Sequence, residues 1–367
     1  MDIDKRLHQL NKRRVPNSTM VKAALSRDSA TYSEYQPIVE SYQTLAQGKY
    51  VKYAIGAMQP VNHKYTSISY REGERVIKCL MDGLGHHSPD FELQGSLPMD
   101  LHLRHNSDVD ILALHGQFHR YTSPAIRTYS PYIGRGMVFE VEDLRNDAIR
   151  ILGNHFPAAT VTPKDKSICI TGGSLLRDID VVPSVWLDTI AYQYSNHKND
   201  RGVEILDRSK WELVPNSPFK FRYEIDSKDR RVGGNLKKVI RLLKTLMKDS
   251  EQENRLSSYD IASMVWNMAD NLLLVATYHD LVLLDNARTW LFSLLNDESL
   301  RILLNTPDGS RKVFDNDSEK KKGLQSLYSD LDSLCLSIYR ELTALSPYSY
   351  KSNYDQATLR GQQVILG

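Results

Sequence analysis

Two aspartates separated by one residue are the clearest sign of chemistry in this sequence. Asp108 and Asp110 flank Val109 at the start of an apolar run, and the alternation of strand side chains directs both carboxylates to one face. Neighbouring acids stay ionised only when a positive group lies between them. Carboxylate oxygens suit Mg²⁺, which proteins hold with one or two acids together with substrate phosphates. The pair therefore predicts a metal site on a strand.

A Gly-Ser pair upstream extends this prediction to a nucleotide. Gly95 and Ser96 end a short apolar run, where a residue without Cβ lets the backbone approach a phosphate and the serine offers a hydroxyl and an N–H. Taken singly, Gly-Ser is also typical of an ordinary turn, and Asp-x-Asp is also typical of the start of an ordinary strand. In combination they predict a site for a metal ion and a triphosphate.

A third acid, Asp180, lies in an apolar strand predicted for residues 179–182, which we expect Pro183 to end. An ionised carboxylate there is unfavourable unless it is paired or bound to metal. Two-metal phosphoryl transfer requires such an acid from an adjacent strand: one metal activates the attacking hydroxyl, the other neutralises the leaving pyrophosphate, and Asp180 helps to deprotonate the nucleophile. Asp178, nearer the turn, is predicted to be a solvated edge residue.

A basic helix is predicted for residues 235–248. Lys237, Arg241, Lys244 and Lys248 recur along one face, opposite an apolar stripe. Four like charges in a row repel each other, and both a solvated face and a face lined by an anion are consistent with the pattern. The predicted triphosphate site favours the anion.

Histidines and cysteines add no second metal site to the sequence prediction. His102 and His105 lie close to the acidic pair, but no cysteine pair or third clustered ligand accompanies them at a zinc-binding spacing. We predict that they are solvated or face a phosphate. Cys79, Cys169 and Cys335 are isolated in apolar runs, which indicates core thiols in a reducing cytoplasm.

The composition is typical of a soluble globular protein, with 41% hydrophobic and 25% charged residues. A length of 367 residues indicates two lobes. The net charge of +2 argues against a dedicated nucleic-acid binder. No apolar run reaches the roughly 20 residues of a membrane span, and the first residues are not a signal peptide. We therefore expect a cytoplasmic protein without a membrane partner.

Hydrophobic periodicity predicts strands and helices in the first half and mostly helices in the second. Helices are predicted over residues 31–46, 72–84, 141–155, 235–248, 258–276 and 324–342, with two shorter ones within 280–304, and strands over residues 167–171, 179–182, 203–206 and 219–225. Residues 116–137 are predicted to form an ordered loop or hairpin. The first 30 residues are expected to be a loosely held arm or a short helix, and the tail beyond Pro347 to be weakly ordered.

The order and spacing of these motifs resemble the polymerase-beta-like nucleotidyltransferase superfamily. Within it, the chain is most similar to the cGAS/DncV-like nucleotidyltransferases, the bacterial oligonucleotide cyclases of anti-phage signalling. The likeness covers most of the chain: Gly-Ser, Asp-x-Asp, Asp-Val-Val-Pro at residues 180–183, Arg-Leu-Leu-Lys at 241–244 and Ser-Ser-Tyr at 257–259.

This resemblance implies a bilobed α+β fold, with a mixed β-sheet, flanking helices and a C-terminal helical bundle. The catalytic core with N-terminal helices would span residues 1–190 and the helical lobe residues 191–367, with the active site in the cleft between them. Asp108, Asp110 and Asp180 would bind two Mg²⁺ ions, for which Mn²⁺ can substitute.

The implied nucleotide-binding residues come from both lobes: Gly95, Ser96, Arg241, Lys244, Ser258 and Tyr259. Ser96 and Lys244 would hold the triphosphate, Ser258 would add a phosphate contact, and Tyr259 would stack on a nucleobase. Alternatively, Tyr259 is an ordinary aromatic at a helix N-terminus with Ser258 as the cap. The chain has no Cys/His-rich insertion like the zinc module of animal DNA sensors, so direct DNA sensing is not implied.

The leading hypothesis is a Mg²⁺-dependent synthase that joins nucleoside triphosphates into a cyclic or linear oligonucleotide messenger and releases pyrophosphate. Its partners would be NTP substrates, and a regulatory protein partner is compatible with this hypothesis. One alternative is a nucleotidyltransferase that modifies an RNA 3′ end, a protein or an antibiotic. Another is a nucleotide-binding sensor that has lost its chemistry.

Overall fold

The computed structural model describes residues 2–14, 40–103, 108–129, 132–253 and 255–345. His105, residues 31–39 of one predicted helix and the tail beyond Pro347 lie outside the described residues. The chain divides into two compact units, each built from separate stretches of sequence. One, here called the helical unit, comprises residues 1–16, 36–60 and 224–367, and the other, the sheet unit, comprises residues 17–35 and 61–223.

Within the described residues, seven strands form one mixed sheet: β1 Asp90–Gln94, β2 Val109–Tyr121, β3 Ala159–Pro163, β4 Ile168–Gly172, β5 Ile179–Asp188, β6 Gly202–Asp207 and β7 Glu212–Asn216. β2 and β5 are parallel neighbours at the centre, and β1 pairs antiparallel with the outer side of β2. The other side of β5 pairs antiparallel with β4 along its first part and with β6 along its second part. β3 pairs with the outer side of β4, and β7 pairs with the outer side of β6.

The helices outnumber the strands and occur in both units. Those of the first half are α1 Ile3–Arg14, α2 Ser41–Leu45, α3 Lys49–Met58, α4 His63–Gly83, α5 Met137–His155 and α6 Ile190–Ser195. Those of the second half are α7 Pro218–Arg231, α8 Asn235–Asp249, α9 Ser258–Trp266, α10 Asp270–Leu273, α11 Asp280–Asn296, α12 Glu298–Leu303 and α13 Asp317–Leu345. The α+β class is confirmed. Of the helices described, none combines the length and apolarity that a membrane crossing requires.

The two units differ in extent from the lobes expected on either side of residue 190. β6 and β7 continue the sheet of the sheet unit, because β6 pairs with β5. α2 and α3 lie in the helical unit, where α3 packs against α8. Each unit is therefore assembled from segments that are distant in sequence.

Alternation along β2 positions the predicted acids. Val109 and Ile111 are buried in the core that the sheet forms with α4 and α5, together with Val181 of β5. Asp110 between them is only half-buried. The core face and the acid-bearing face of β2 are thus distinct, as the sequence predicted.

β5 continues through Pro183, so the prediction that this proline ends the strand is wrong. Pairing of β4 with β5 stops at Val181, and pairing of β6 with β5 starts at Ser184. Pro183 lies in the gap between these partners, where the ladder on that side does not require its missing N–H.

Three further predicted elements are different in the structure. Residues 219–225 are part of helix α7 and not a strand, because Pro218 is favoured at the first helical position and Phe221 and Ile225 are buried four residues apart. The helix predicted over residues 258–276 is divided into α9 and α10. Part of the segment 116–137 that was predicted as a loop or hairpin belongs to β2, which runs to Tyr121.

Candidate active site

The parallel register of β2 and β5 brings two of the predicted acids side by side. Asp110 and Asp180 are direct partners across the strands, and Asp108 is exposed immediately before β2 begins. Burial raises the pKa of Asp110 to about 7, and the carboxylates of Asp180 and Asp108 add to the rise, while Lys164 opposes it. The three acids therefore interact with one another electrostatically, although they are distant in sequence.

Gly95 lies directly against the carboxylate of Asp110. Its φ of +75° lies in the left-handed region, and a Cβ added there would be 2.1 Å from Asp110 Oδ2. Ser96 follows in a turn that is closed by a hydrogen bond from the Leu101 N–H to the Ser96 carbonyl, 2.9 Å. The structure thus brings Gly95, Ser96, Asp110 and Asp180 together at one end of β1, β2 and β5.

A lysine that the sequence analysis did not identify faces Asp180. Lys164 Nζ donates to both carboxylate oxygens of Asp180, at 3.0 and 3.2 Å, and Ser167 Oγ lies 3.4 Å from Oδ1. This hydrogen bond to Asp180 raises the pKa of Lys164. Lys164 follows β3 directly, and no motif in the sequence distinguishes it from other exposed lysines.

Cys169 also faces this site, in contrast to its prediction as a core thiol. It is the β4 residue in register with Asp180 and is only partly buried. Its neighbours Ile168 and Ile170 occupy the core face of β4, so alternation turns Cys169 to the face of the acids. Cys79 and Cys335 are buried, as predicted.

The acids have the donor chemistry of a site for a hard divalent cation. All three offer carboxylate oxygens. Burial first, and then repulsion by Asp180 and Asp108, raises the pKa of Asp110, and a bound cation would offset that repulsion. A different group of potential metal ligands, His86, His87 and Asp147, already converges in the described part of the chain, with its ligand atoms within 4.8 Å of one another. At the acids, the ammonium of Lys164 is the cation that the structure shows beside Asp180.

We expect Lys164→Met to lower the melting temperature of the metal-free protein by about 2–4 °C, because repulsion between Asp180 and Asp110 persists without the ammonium. Mg²⁺ should then raise the melting temperature more in this variant than in the wild type. Lys166→Met is the control, since Lys166 is similarly exposed but pairs with Asp207. Equal Mg²⁺-induced shifts in both variants, measured by scanning fluorimetry, would contradict this role of Lys164.

The basic helix α8 is confirmed, but its charges do not form a solvated face. Arg241 and Lys244 are 5% and 6% exposed. Arg241 Nε donates to the Met58 carbonyl at 2.7 Å, and Lys237 pairs with Asp226 at 2.7 Å. Burial, reinforced by the Arg241 charge, lowers the pKa of Lys244 to about 8. Such a lysine gains more from an anionic ligand than a solvated one does.

The N-cap of helix α9 lies one residue before Ser258, the residue that was predicted as the cap in the alternative to a nucleotide-stacking role for Tyr259. Its N-cap is Ser257, which accepts from the Asp260 N–H at 3.0 Å, so Ser258 is the first helical residue and is exposed. The Tyr259 hydroxyl donates to Asp308 Oδ1 at 2.7 Å, which holds the ring in place. A capping role for Ser258 is therefore wrong.

His102 is not solvated in the structure, so that part of its prediction is wrong. It is 4% exposed, and its Nε2 lies 3.1 Å from the Thr66 hydroxyl of helix α4. A buried ring with a hydroxyl partner is a core histidine. The apolar residues on either side of His102, Leu101 and Leu103, were the sequence signal for this burial.

Comparison with known proteins places this chain in a family. Residues 223–335 match the family model for the cGAS/DncV-like nucleotidyltransferase C-terminal helical domain. Over 332 residues the chain is 37% identical to the cyclic dinucleotide synthase CdnE of Yersinia aleksiciae, covering 89% of this chain and 86% of that protein. The chain belongs to the cGAS/DncV-like nucleotidyltransferases.

Solved structures agree with this membership at the level of the fold. The nucleotidyltransferase is similar to a STING-associated CdnE c-di-GMP synthase from Flavobacteriaceae sp., with a TM-score of 0.75 and 20% identity over 93% of this chain and 99% of that one. It is also similar to Rhodothermus marinus CdnE c-UMP-AMP synthase with Apcpp and Upnpp, with a TM-score of 0.60 and 17% identity over 86% and 100% of the two chains. The resemblance predicted from the motifs is confirmed, and the chain is an enzyme of the oligonucleotide-cyclase type.

The family match covers the helices that carry Lys244 and Tyr259. We expect Lys244→Met to raise the KM for NTP about tenfold, the loss of one charge-assisted hydrogen bond to a phosphate. The melting temperature should change little, because methionine keeps most of the buried side-chain volume and removes a charge that burial disfavours. Lys248→Met, on the same helix but exposed, is the matched control. Steady-state kinetics with an unchanged KM would remove Lys244 from the predicted nucleotide site.

Proposed function

We propose that this nucleotidyltransferase is a Mg²⁺-dependent synthase that joins NTPs into a cyclic or linear oligonucleotide messenger and releases pyrophosphate. The observation that carries the proposal is the register pair of Asp110 and Asp180 beside Gly95, in a chain similar to a cyclic dinucleotide synthase. An anti-phage role follows from the family resemblance and is part of the same proposal.

Asp108, Asp110 and Asp180 would hold the metal, and the remaining steps are assigned to the chain's own groups. Bound Mg²⁺ supplies charge neutralisation for the triphosphate and lowers the pKa of the attacking hydroxyl. Asp180 would help to accept the proton of that hydroxyl once the metal takes the place of the Lys164 ammonium beside it. Gly95, which has no Cβ, lets the backbone lie directly against the Asp110 carboxylate.

The phosphates would be bound by groups that donate hydrogen bonds. Ser96 offers its hydroxyl and N–H at the turn after β1, directly after Gly95, which lies against the Asp110 carboxylate. In the helical unit, Lys244 and Arg241 supply positive charge on α8, and Ser258 supplies an exposed hydroxyl at the first turn of α9. These assignments assume that phosphate binding compensates the burial of the α8 charges.

Tyr259 would stack on a nucleobase through one face of its ring. The guanidinium of Arg311 lies 5.2 Å from the ring centroid, and the hydroxyl is anchored by Asp308. A base would therefore use the face opposite Arg311. Stacking tolerates several bases, so Tyr259 contributes affinity more than base choice.

Incubation of the protein with all four NTPs and Mg²⁺ or Mn²⁺, followed by mass spectrometry and a pyrophosphate assay, tests this function. All four bases are needed, because the similar synthases are named for different products, c-di-GMP and c-UMP-AMP. We expect a cyclic or linear oligonucleotide and stoichiometric pyrophosphate, both lost in the Asp108→Asn/Asp110→Asn double variant.

Two outcomes would contradict the proposal. Pyrophosphate release only after an RNA, protein or antibiotic acceptor is added would indicate a transferase that modifies that acceptor. A sensor without chemistry would be indicated by two results together: no product forms under any condition, including with extract of phage-infected cells, and the double variant binds nucleotide as the wild type does.

A further inference from the structure

Two histidines and an aspartate converge away from the three acids. His86 and His87 form a 3-10 turn with Gly85 after helix α4, and Asp147 lies on helix α5. Asp147 Oδ2 is 2.8 Å from His86 Nε2 and 3.0 Å from His87 Nε2, and all three ligand atoms lie within 4.8 Å of one another. Both histidines thus direct the same ring nitrogen at one carboxylate oxygen.

This cluster is separate from the predicted catalytic acids. The nearby residue of β2 is His115, which is five residues beyond Asp110, or about 16 Å along an extended strand. The odd spacing also turns the two side chains to opposite faces, and His115 is 1% exposed on the core face. A ligand at the cluster would therefore not share a site with the acids.

The surrounding contacts hold the turn rigidly. Gln117 Nε2 donates to the His86 carbonyl at 2.6 Å. A Cβ on Gly116 would lie 1.8 Å from the Ser88 carbonyl oxygen, so the turn packs directly on β2. Arg150 donates to Asp147 Oδ1 at 2.9 Å, which leaves Oδ2 directed at the histidines. Such a fixed geometry reduces the cost of ordering the ligands when an ion binds.

His115 provides the outer contact that metal-binding histidines commonly have. Its Nε2 lies 3.1 Å from Nδ1 of His87, and its own Nδ1 is buried without a hydrogen-bond partner in the described part of the structure. The His87 tautomer with the proton on Nδ1 can donate to His115, and that tautomer frees the Nε2 lone pair for a cation.

We propose that His86, His87 and Asp147 bind one borderline divalent cation, Zn²⁺ in the first instance, which fastens the turn after α4 to helix α5. Two imidazoles and one carboxylate are a ligand set that zinc accepts with solvent in the remaining position, and imidazole disfavours Mg²⁺. Metal–ligand bonds of about 2.0–2.2 Å would separate the ligand atoms by about 3.3 Å. Each nitrogen would move away from Asp147 Oδ2 by a few tenths of an ångström, and the two nitrogens, which lie within 4.8 Å of each other, would approach by at most about 1.5 Å.

Binding of Co²⁺ to the full-length protein, followed by visible absorption in excess Mg²⁺ that occupies oxygen sites, tests this proposal. We expect one Co²⁺ per chain with ligand-field bands that added Zn²⁺ removes. His86→Ala should weaken binding at least tenfold, on the order of the loss seen when metal-site partners are removed. The His86 side chain is 57% exposed, so this variant should fold normally.

His155→Ala is the matched control, since this exposed histidine lies on the same helix as Asp147. It should bind Co²⁺ as the wild type does. Zn²⁺ should also raise the melting temperature of the wild type and the control but not that of His86→Ala. Equal Co²⁺ affinity in wild type and His86→Ala, or no ion retained in excess Mg²⁺, would overturn the proposal.

Discussion

Replacing Asp110 with asparagine should lower product formation at least about 10³-fold, since it removes an anionic ligand from the proposed metal site, an effect worth several kcal/mol in the transition state. The variant should nevertheless melt at or above the wild-type temperature. Burial and the neighbouring acids Asp180 and Asp108 disfavour the charge of Asp110 in the free protein, and asparagine removes that charge without changing the shape.

Asp178→Asn is the matched control for this experiment. Asp178 is exposed and directly precedes β5, two residues before Asp180, and its backbone carbonyl accepts from the Val109 N–H at 3.0 Å. Its substitution keeps that backbone bond and should change the rate less than about threefold. Product assays and thermal melts on both variants check the prediction. Similar losses of activity, or a strongly destabilised Asp110→Asn variant, would show that Asp110 has a structural role.

Gly95→Ala is expected to reduce activity about 10²-fold or more while the protein still folds. The new methyl group would lie 2.1 Å from Asp110 Oδ2, so either the carboxylate or the turn must move. A displacement of about 1 Å at a catalytic group is sufficient for a loss of this size. The positive φ of Gly95 adds backbone strain of about 1–2 kcal/mol.

Gly172→Ala distinguishes the effect of backbone strain from the effect of displacing the Asp110 carboxylate. Gly172 has the same φ of +75°, but a Cβ there meets nothing within 4 Å. Gly172→Ala should therefore lose only the stability that the backbone strain costs, while Gly95→Ala should lose at least as much in denaturant melts and should alone lose the activity. If Gly172→Ala is as inactive as Gly95→Ala, backbone strain and not the Asp110 contact explains the defect.

Local periodicity was sufficient to predict the acid-bearing strands and their faces. Val109 and Ile111 point into the core and Asp110 away from it, because a strand alternates its side chains whatever its neighbours are. The pairing of Asp110 with Asp180 is a matter of sheet register, which no local pattern contains. That the third acid belongs to the same site was expected from its isolation in an apolar run and from the family resemblance.

Features that depend on tertiary contacts were not predictable. Lys164 faces Asp180 because the β3–β4 hairpin returns beside β5. Lys244 is buried because α8 packs against α3 and α9, although the spacing of its charges is typical of a surface helix. Pro183 remains within a strand because its neighbours change at that residue, and a sequence pattern contains no such information.

The change of partner along β5 divides the sheet into two branches. The β3–β4 hairpin flanks the half of β5 that bears Asp180, and the β6–β7 hairpin flanks the other half, from Ser184 onward. Strand pairing in the described residues joins the two hairpins only through β5, but Lys166 pairs with Asp207 and the Arg208 N–H donates to the Asp165 carbonyl, so the two hairpin turns also contact each other. Insertions and deletions in the β6–β7 hairpin are therefore expected to spare its Asp207 end during evolution, because that end contacts the turn that carries Lys164, and to accumulate elsewhere in this branch.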